Sequence, residues 1–228
     1  MKILGYSERG IINSLIFSIG EDKTLMDAFI KEIGIEELFH PEQPKDYEIL
    51  LEQSFSGFGD ADLIVIIEYK SHKKVLFIEG KVKTFYPKSW SLQKQYDKYK
   101  QGEYKGYSSN LFYQLYLKSL LFQNKGKIKW EYDKVTNFND VIARCRVRDR
   151  KIGKNEIVWK AIKKIAECDQ EINVALVPSE KHDINIFDIK LVDYPVHFLT
   201  WETVHEFCKI NKLKKTLDIF EYNKGQIY

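Results

Sequence analysis

Two carboxylates and an amine stand out by type and spacing. Asp62 opens the apolar run Leu63-Ile64-Val65-Ile66-Ile67, and Glu79 and Lys81 close a second, Val75-Leu76-Phe77-Ile78. A Glu and a Lys at the end of an apolar strand are costly to desolvate unless they pair or bind something. Two acids brought close together repel, and a divalent cation relieves that repulsion. Hard oxygen donors suit Mg²⁺ or Mn²⁺, and a neighbouring ammonium can hold an attacking water or offset charge in a transition state. Asp60 competes with Asp62, because Gly57-Phe58-Gly59-Asp60-Ala61-Asp62 offers two aspartates for one role. Asp62 is preferred because it begins the apolar strand.

These side chains can meet only if a hairpin joins the two runs. The polar stretch around Ser71 and His72 supplies its turn. Side chains alternate along a strand, so Glu79 and Lys81 point the same way. A loop centred on Ser71 and His72 makes paired positions sum to roughly 143 to 145, which sets Asp62 opposite Lys81, or within about one position of it, and Glu79 near Ile64.

The order Gly59-Asp60-Ala61-Asp62, an apolar run, then Glu79-Gly80-Lys81 resembles the PD-(D/E)XK nuclease superfamily. Gln95-Tyr96-Asp97-Lys98-Tyr99 resembles the Gln-x-x-x-Tyr motif of its RecB-like branch, and the resemblance covers roughly residues 5 to 123. It implies a restriction-endonuclease-like α/β (α+β) core, a central mixed β-sheet flanked by helices. It further implies metal-dependent phosphodiester hydrolysis, with Asp62, Glu79 and the Gly80 carbonyl as ligands of Mg²⁺ (or Mn²⁺) and Lys81 assisting the attacking water. By the same resemblance Glu8, on the first helix, leans over the metal, and Gln95 and Tyr99 order the site and touch the nucleic-acid backbone. Glu8 has a plainer reading, as the acid that complements the dipole of its own helix. Gln95 and Tyr99, four apart, are also ordinary positions of an amphipathic helix.

Around this motif the chain alternates between helical and strand patterns. Residues 7–19 carry the stripe Ile11, Ile12, Leu15, Ile16, Ile19. Thr24-Leu25-Met26-Asp27 looks like a capping box opening a helix that runs through Ile33, with Leu25, Phe29, Ile30 and Ile33 inward and Gly34 as its stop. Residues 46–55 read as the first strand. Ser89 is expected to cap a helix from Trp90 to Tyr99, and residues 109–122 form a helix apolar nearly all round. A short helix near Phe138 follows, then a helix over 156–167 with Ile157, Val158, Ala161, Ile162 and Ile165 inward. Strands are expected at 171–178, 183–189 and 196–199, and a helix capped by Thr200 from Trp201 to Asn211. The chain thus divides into a nuclease-like core, 1–123, and a basic helical segment with strands and a helix extending the sheet, 124–228, within one domain.

Charge sharpens the reading. The net charge is only +3, yet residues 81–164 hold 21 Lys and Arg against 7 Asp and Glu. Its densest part is Arg144, Arg146, Arg148, Arg150, Lys151 and Lys154. If extended, the four arginines share a face; if helical, they spread. Their functional reading is contact with DNA (or RNA) phosphates, their plain reading a salt-bridged surface. No run of 18 apolar residues and no signal-like start is present, so a cytoplasmic protein with no membrane span is expected, with a homodimer one arrangement open to it. Cys145, Cys168 and Cys208 fit neither a disulfide framework nor a zinc spacing.

Overall fold

The computed structural model describes residues 7–83, 90–101, 109–126, 146–147, 150–151, 156–178 and 194–228. Its centre is a five-stranded mixed sheet with helices on both faces. The strands are β1 (Asp46–Ser54), β2 (Asp60–Glu68), β3 (Lys73–Gly80), β6 (Gln170–Val177) and β7 (Val196–Thr200), in the order β1-β2-β3-β6-β7. The first three form an antiparallel meander, and β6 and β7 continue parallel to β3. A separate two-stranded ribbon pairs β4 (Arg146–Val147) with β5 (Arg150–Lys151).

β2 is buried at every position from Ala61 to Ile67, as an unbroken apolar run in a central strand requires. On one face Leu63, Val65, Ile67, Leu76 and Ile78 pack against α1 (Glu8–Ile19), α2 (Lys23–Lys31), α6 (Trp201–Ile210) and α7 (Lys214–Tyr222). On the other, Ile64, Ile66, Val75 and Phe77 meet α4 (Leu111–Gln123) and α5 (Glu156–Ala166). α3 (Leu92–Lys100) packs on α4 on that second face, in a cluster that includes Ala175 and Val177 of β6. Each of these buried Leu, Ile, Val and Phe side chains is worth about 1.5–3 kcal/mol of burial.

The expected stripe of α1 is buried throughout, with Ser7 capping it by accepting from Gly10 N. Other boundaries move. Asp22, not Thr24, caps α2, and Asp27 is instead the acceptor for Lys23 and the Tyr47 hydroxyl. α3 begins at Leu92 with Ser91 as its cap, two residues later than expected. In α5 the buried face carries Trp159, while Ile157 is 65% exposed, because the stripe Val158-Ala161-Ile162-Ile165 turns residue 157 outward. Residues 214–222 form α7, a helix the sequence reading left out; it lies against α1 through contacts that include Thr216 on Ser18.

The hairpin turns one residue earlier than expected. Leu63 pairs with Ile78 and Glu68 with Lys73, so paired positions sum to 141 rather than 143 to 145. Tyr69 continues that register, since its N–H bonds the His72 carbonyl, so the turn falls at Lys70 and Ser71; its ring stacks on His72 at 4.4 Å and its hydroxyl donates to Leu38 O. The difference of two keeps every side chain on its face, since alternation has a period of two. Asp62 is therefore level with Glu79, not with Lys81. The expected strand at 183–189, the helix near Phe138 and the connection at 102–108 lie outside the described residues. Cys168 and Cys208 are free and buried, and Cys145 is not among the described residues. No described helix is long and apolar enough to cross a membrane.

Candidate active site

One end of the β2–β3 hairpin opens into a cleft of about 500 Å³ lined by Glu8, Arg9, Asp60, Asp62, Glu79, Lys81 and Gln114, with Ser7, Gly59 and Ser109 at its margins. Asp62, 3% exposed, sits at the start of β2 and accepts from Gly80 N at 2.9 Å through Oδ2. Glu79, 2% exposed, ends β3 on the same sheet face. Lys81 follows two residues on and donates to Glu79 Oε1 at 3.0 Å. Its backbone is held from both sides: its N–H bonds Leu176 O of β6, and its carbonyl accepts from Trp201 Nε1 at 2.7 Å.

Gly80 stands between them because α1 crosses its Cα. A Cβ there would meet Glu8 Cβ and Ile12 Cδ1 at 3.3 Å and Trp201 Cζ2 at 3.4 Å. Any larger residue would press on the first turn of α1 and on Trp201 by a few tenths of an ångström, and the close approach a glycine permits brings Glu8 over the end of β3. Glu8 thus lines the same cleft as Asp62, Glu79 and Lys81.

Gln95 and Tyr99 share one side of α3 as expected, but neither is part of the lining described. Gln95 Oε1 accepts from Leu111 N at 3.0 Å and its carbonyl accepts from Asn110 Nδ2, so it ties α3 to the start of α4. Tyr99 is 8% exposed and packs on Phe112, Tyr116 and Tyr194. Of the basic stretch, Arg146 and Arg150–Lys151 are extended in the ribbon, with β5 against the Ser56–Phe58 turn that leads into Asp60. Arg144, Arg148 and Lys154 lie outside the described residues.

Three site residues escaped the sequence reading. Arg9 donates from Nε to Asp62 Oδ1 at 3.1 Å and places Nη2 at 3.5 Å from Asp60. Lys118, 1% exposed on α4, donates to the Phe58 carbonyl at 3.1 Å, directly behind Gly59, whose φ of 74° holds the turn into β2. Gln114, one helical turn before Lys118, points into the cleft with a buried Oε1 that has no partner among the described residues. The signals were local: a lysine in an otherwise apolar helix, a glutamine four residues before it, and an arginine at the positive end of a helix dipole, where it needs acids to be tolerated.

The electrostatics are those of ionisable groups withdrawn from water and held against one another. Burial pushes Glu79 up to about 7, with Asp62 adding to the shift and Lys81 and Lys118 opposing it. Burial also works against the Lys81 ammonium, but Glu79, Asp62 and Glu8 outweigh it, so Lys81 holds its proton more tightly than usual. Both groups respond to surplus negative charge. Lys118 is brought down to about 8 by burial, despite the pull of Glu79, Asp60 and Asp62. Around the cleft four carboxylates (Glu8, Asp60, Asp62, Glu79) face three cations (Arg9, Lys81, Lys118). Among the described residues no three acids, histidines or cysteines stand close enough to form a ready metal cage. The donors themselves are all hard oxygens with charge to spare, and that chemistry fits Mg²⁺ or Mn²⁺.

The chain matched no family model, no curated protein and no solved structure.

Proposed function

We propose that the protein is a metal-dependent nuclease with a restriction-endonuclease-like core of the PD-(D/E)XK type, hydrolysing phosphodiester bonds, with DNA as the favoured substrate. The observation that carries this reading is the convergence of Asp62, Glu79 and Lys81, with Glu8 beside them, on one cleft at the end of two paired strands. In this reading Asp62 and Glu79 hold Mg²⁺ or Mn²⁺, with Glu8 and the Gly80 carbonyl as further oxygens. A divalent cation there supplies a polarised phosphate and a bound water of lowered pKa. Lys81 orients the attacking water and offsets negative charge growing on the phosphate oxygens. Its anchoring by Leu176 and Trp201 supports such a positioning role. The basic β4–β5 ribbon, next to the turn before Asp60, supplies phosphate contacts along the substrate.

A second reading, nucleic-acid binding without cleavage, draws on one observation: both oxygens of Asp62 are already bonded, one by Arg9 and one by Gly80 N. The test is incubation of the purified protein with plasmid, linear DNA and RNA in Mg²⁺, Mn²⁺ or EDTA. Products that need metal and vanish in each of Asp62→Ala, Glu79→Ala and Lys81→Ala support the nuclease. Cutting that survives all three refutes the site, and salt-sensitive binding without any product favours the second reading. Arg146→Ala combined with Arg148→Ala should weaken binding and flatten its salt slope; unchanged affinity removes the ribbon from the substrate path.

A further inference from the structure

Arg9 is where this site departs from a simple pair of acids and a lysine. Its guanidinium forks between two aspartates, Nε at 3.1 Å from Asp62 and Nη2 at 3.5 Å from Asp60. The two acids differ in kind: the Asp62 side chain is 4% exposed, that of Asp60 46%. Glu52 adds a third negative neighbour to Arg9. It is level with Asp62 on the edge strand, where the ladder skips it, and it takes a left-handed φ of 50°; its carboxylate accepts from Asn13 of α1. The fork therefore sits among acids, on the wall of the cleft that Asp60 and Asp62 also line.

Asp62 has one oxygen committed to the backbone of Gly80, and its other oxygen is the one Arg9 covers. A cation bound by Asp62 from the cleft competes with Arg9 for the lone pairs of that oxygen and repels the guanidinium charge. Asp60 can keep the guanidinium through its second nitrogen while Nε is given up. We propose that Arg9 is a phosphate-binding residue of the site, held by Asp60 and released from Asp62 when a divalent cation binds. The inference rests on the metal site proposed above. It separates the two aspartates that sequence spacing leaves interchangeable: Asp62 as cation ligand, Asp60 as the seat of the arginine. The Nε–H so released, together with the Nη hydrogens that Asp60 leaves free, gives a plane of donors that suits a phosphodiester's non-bridging oxygens.

The experiment needs no catalysis. Mn²⁺ affinity is measured by electron paramagnetic resonance on the intact protein, and binding of a short labelled DNA duplex is measured in Ca²⁺, for wild type, Arg9→Gln, Arg9→Lys, Asp60→Asn and Asp62→Asn. Arg9→Gln should tighten Mn²⁺ by about two- to fivefold, the factor one partly exposed ion pair is worth. It should weaken the duplex by about tenfold or more, the scale of a lost charged hydrogen bond. Arg9→Lys keeps the charge without the fork and should recover only part of the duplex affinity. Asp60→Asn should weaken the duplex and leave Mn²⁺ within about twofold, while Asp62→Asn should abolish Mn²⁺ binding. Wild type that binds Mn²⁺ with Arg9→Gln unchanged or weaker overturns the role of Arg9 alone. Duplex affinity indifferent to Arg9→Gln does the same. Wild type that binds no Mn²⁺ overturns the metal reading and this inference together.

Discussion

The two ends of the β2–β3 hairpin each bring a lysine to 3.0 Å from a glutamate and come to opposite results. At the turn, Glu68 meets Lys45 at 3.0 Å and Lys73 at 3.9 Å, with side chains 37–67% exposed. At the cleft, Glu79 meets Lys81 at an identical 3.0 Å, with side chains 3% and 11% exposed. Water screens the first set, and such pairs contribute little. The second set has lost most of its hydration, so each charge depends on its partner, and the surplus of carboxylates there invites an external cation. What distinguishes a candidate site from surface decoration is therefore the layer above it: Glu79 and Lys81 lie beneath neighbouring elements, whereas the side chains of Glu68, Lys45 and Lys73 stay in water.

The comparison can be broken most directly by removing one lysine from each end. Lys81→Met leaves Glu79 buried without its ammonium and should cost about 3 kcal/mol in urea denaturation at pH 8, whereas Lys73→Met should cost no more than about 0.5 kcal/mol. Equal losses would mean that burial does not separate the two ends. Next in size is the response to metal. Mn²⁺ at about a hundredfold its Kd should raise the melting temperature of the wild type by roughly 5 °C or more, and should do nothing for Asp62→Asn, while Glu68→Gln behaves as wild type.

A third effect is read against pH. Glu79 titrates near 7 when folded, above its ordinary 4.5, so the native state holds this proton more tightly than the unfolded chain does. Its contribution to stability is complete below about 4.5 and is lost as the pH rises through about 7. Glu79→Gln should therefore gain on the wild type between pH 5 and pH 8 in paired denaturation curves; parallel pH profiles would show that the carboxylate is not burdened by burial. The smallest effect closes the series: Lys45→Ala with Glu68→Ala should shift stability by less than about 0.5 kcal/mol and leave Mn²⁺ affinity unchanged.

What could be seen in the sequence was whatever depends on neighbours along the chain. The hairpin, the shared face of Glu79 and Lys81, and the stripe of α1 follow from alternation and helical period alone. The register did not: the turn falls at Lys70 and Ser71, past a Tyr69 fixed by its hydroxyl bond to Leu38 O, 31 positions away, and nothing nearby in the chain announces that bond. Arg9, Gln114 and Lys118 escaped for a related cause. Which face of a helix meets the acids is decided by how the helices dock, here by the bare Cα of Gly80 and by the Gly59 turn over Lys118. Gln95 and Tyr99 show the converse: a four-residue spacing puts two side chains on one side of α3 without saying what that side meets.

The bond from the Trp201 indole to the Lys81 carbonyl spans 120 positions, and the Lys83 amide is joined to Ile227 O, farther on still. As the chain leaves the ribosome, every acid of the cleft emerges before the parts that fix Lys81. A fragment interrupted midway carries the whole set of reactive groups with its lysine unbraced. The geometry of the cleft is thus finished only when the helix bearing Trp201 has docked.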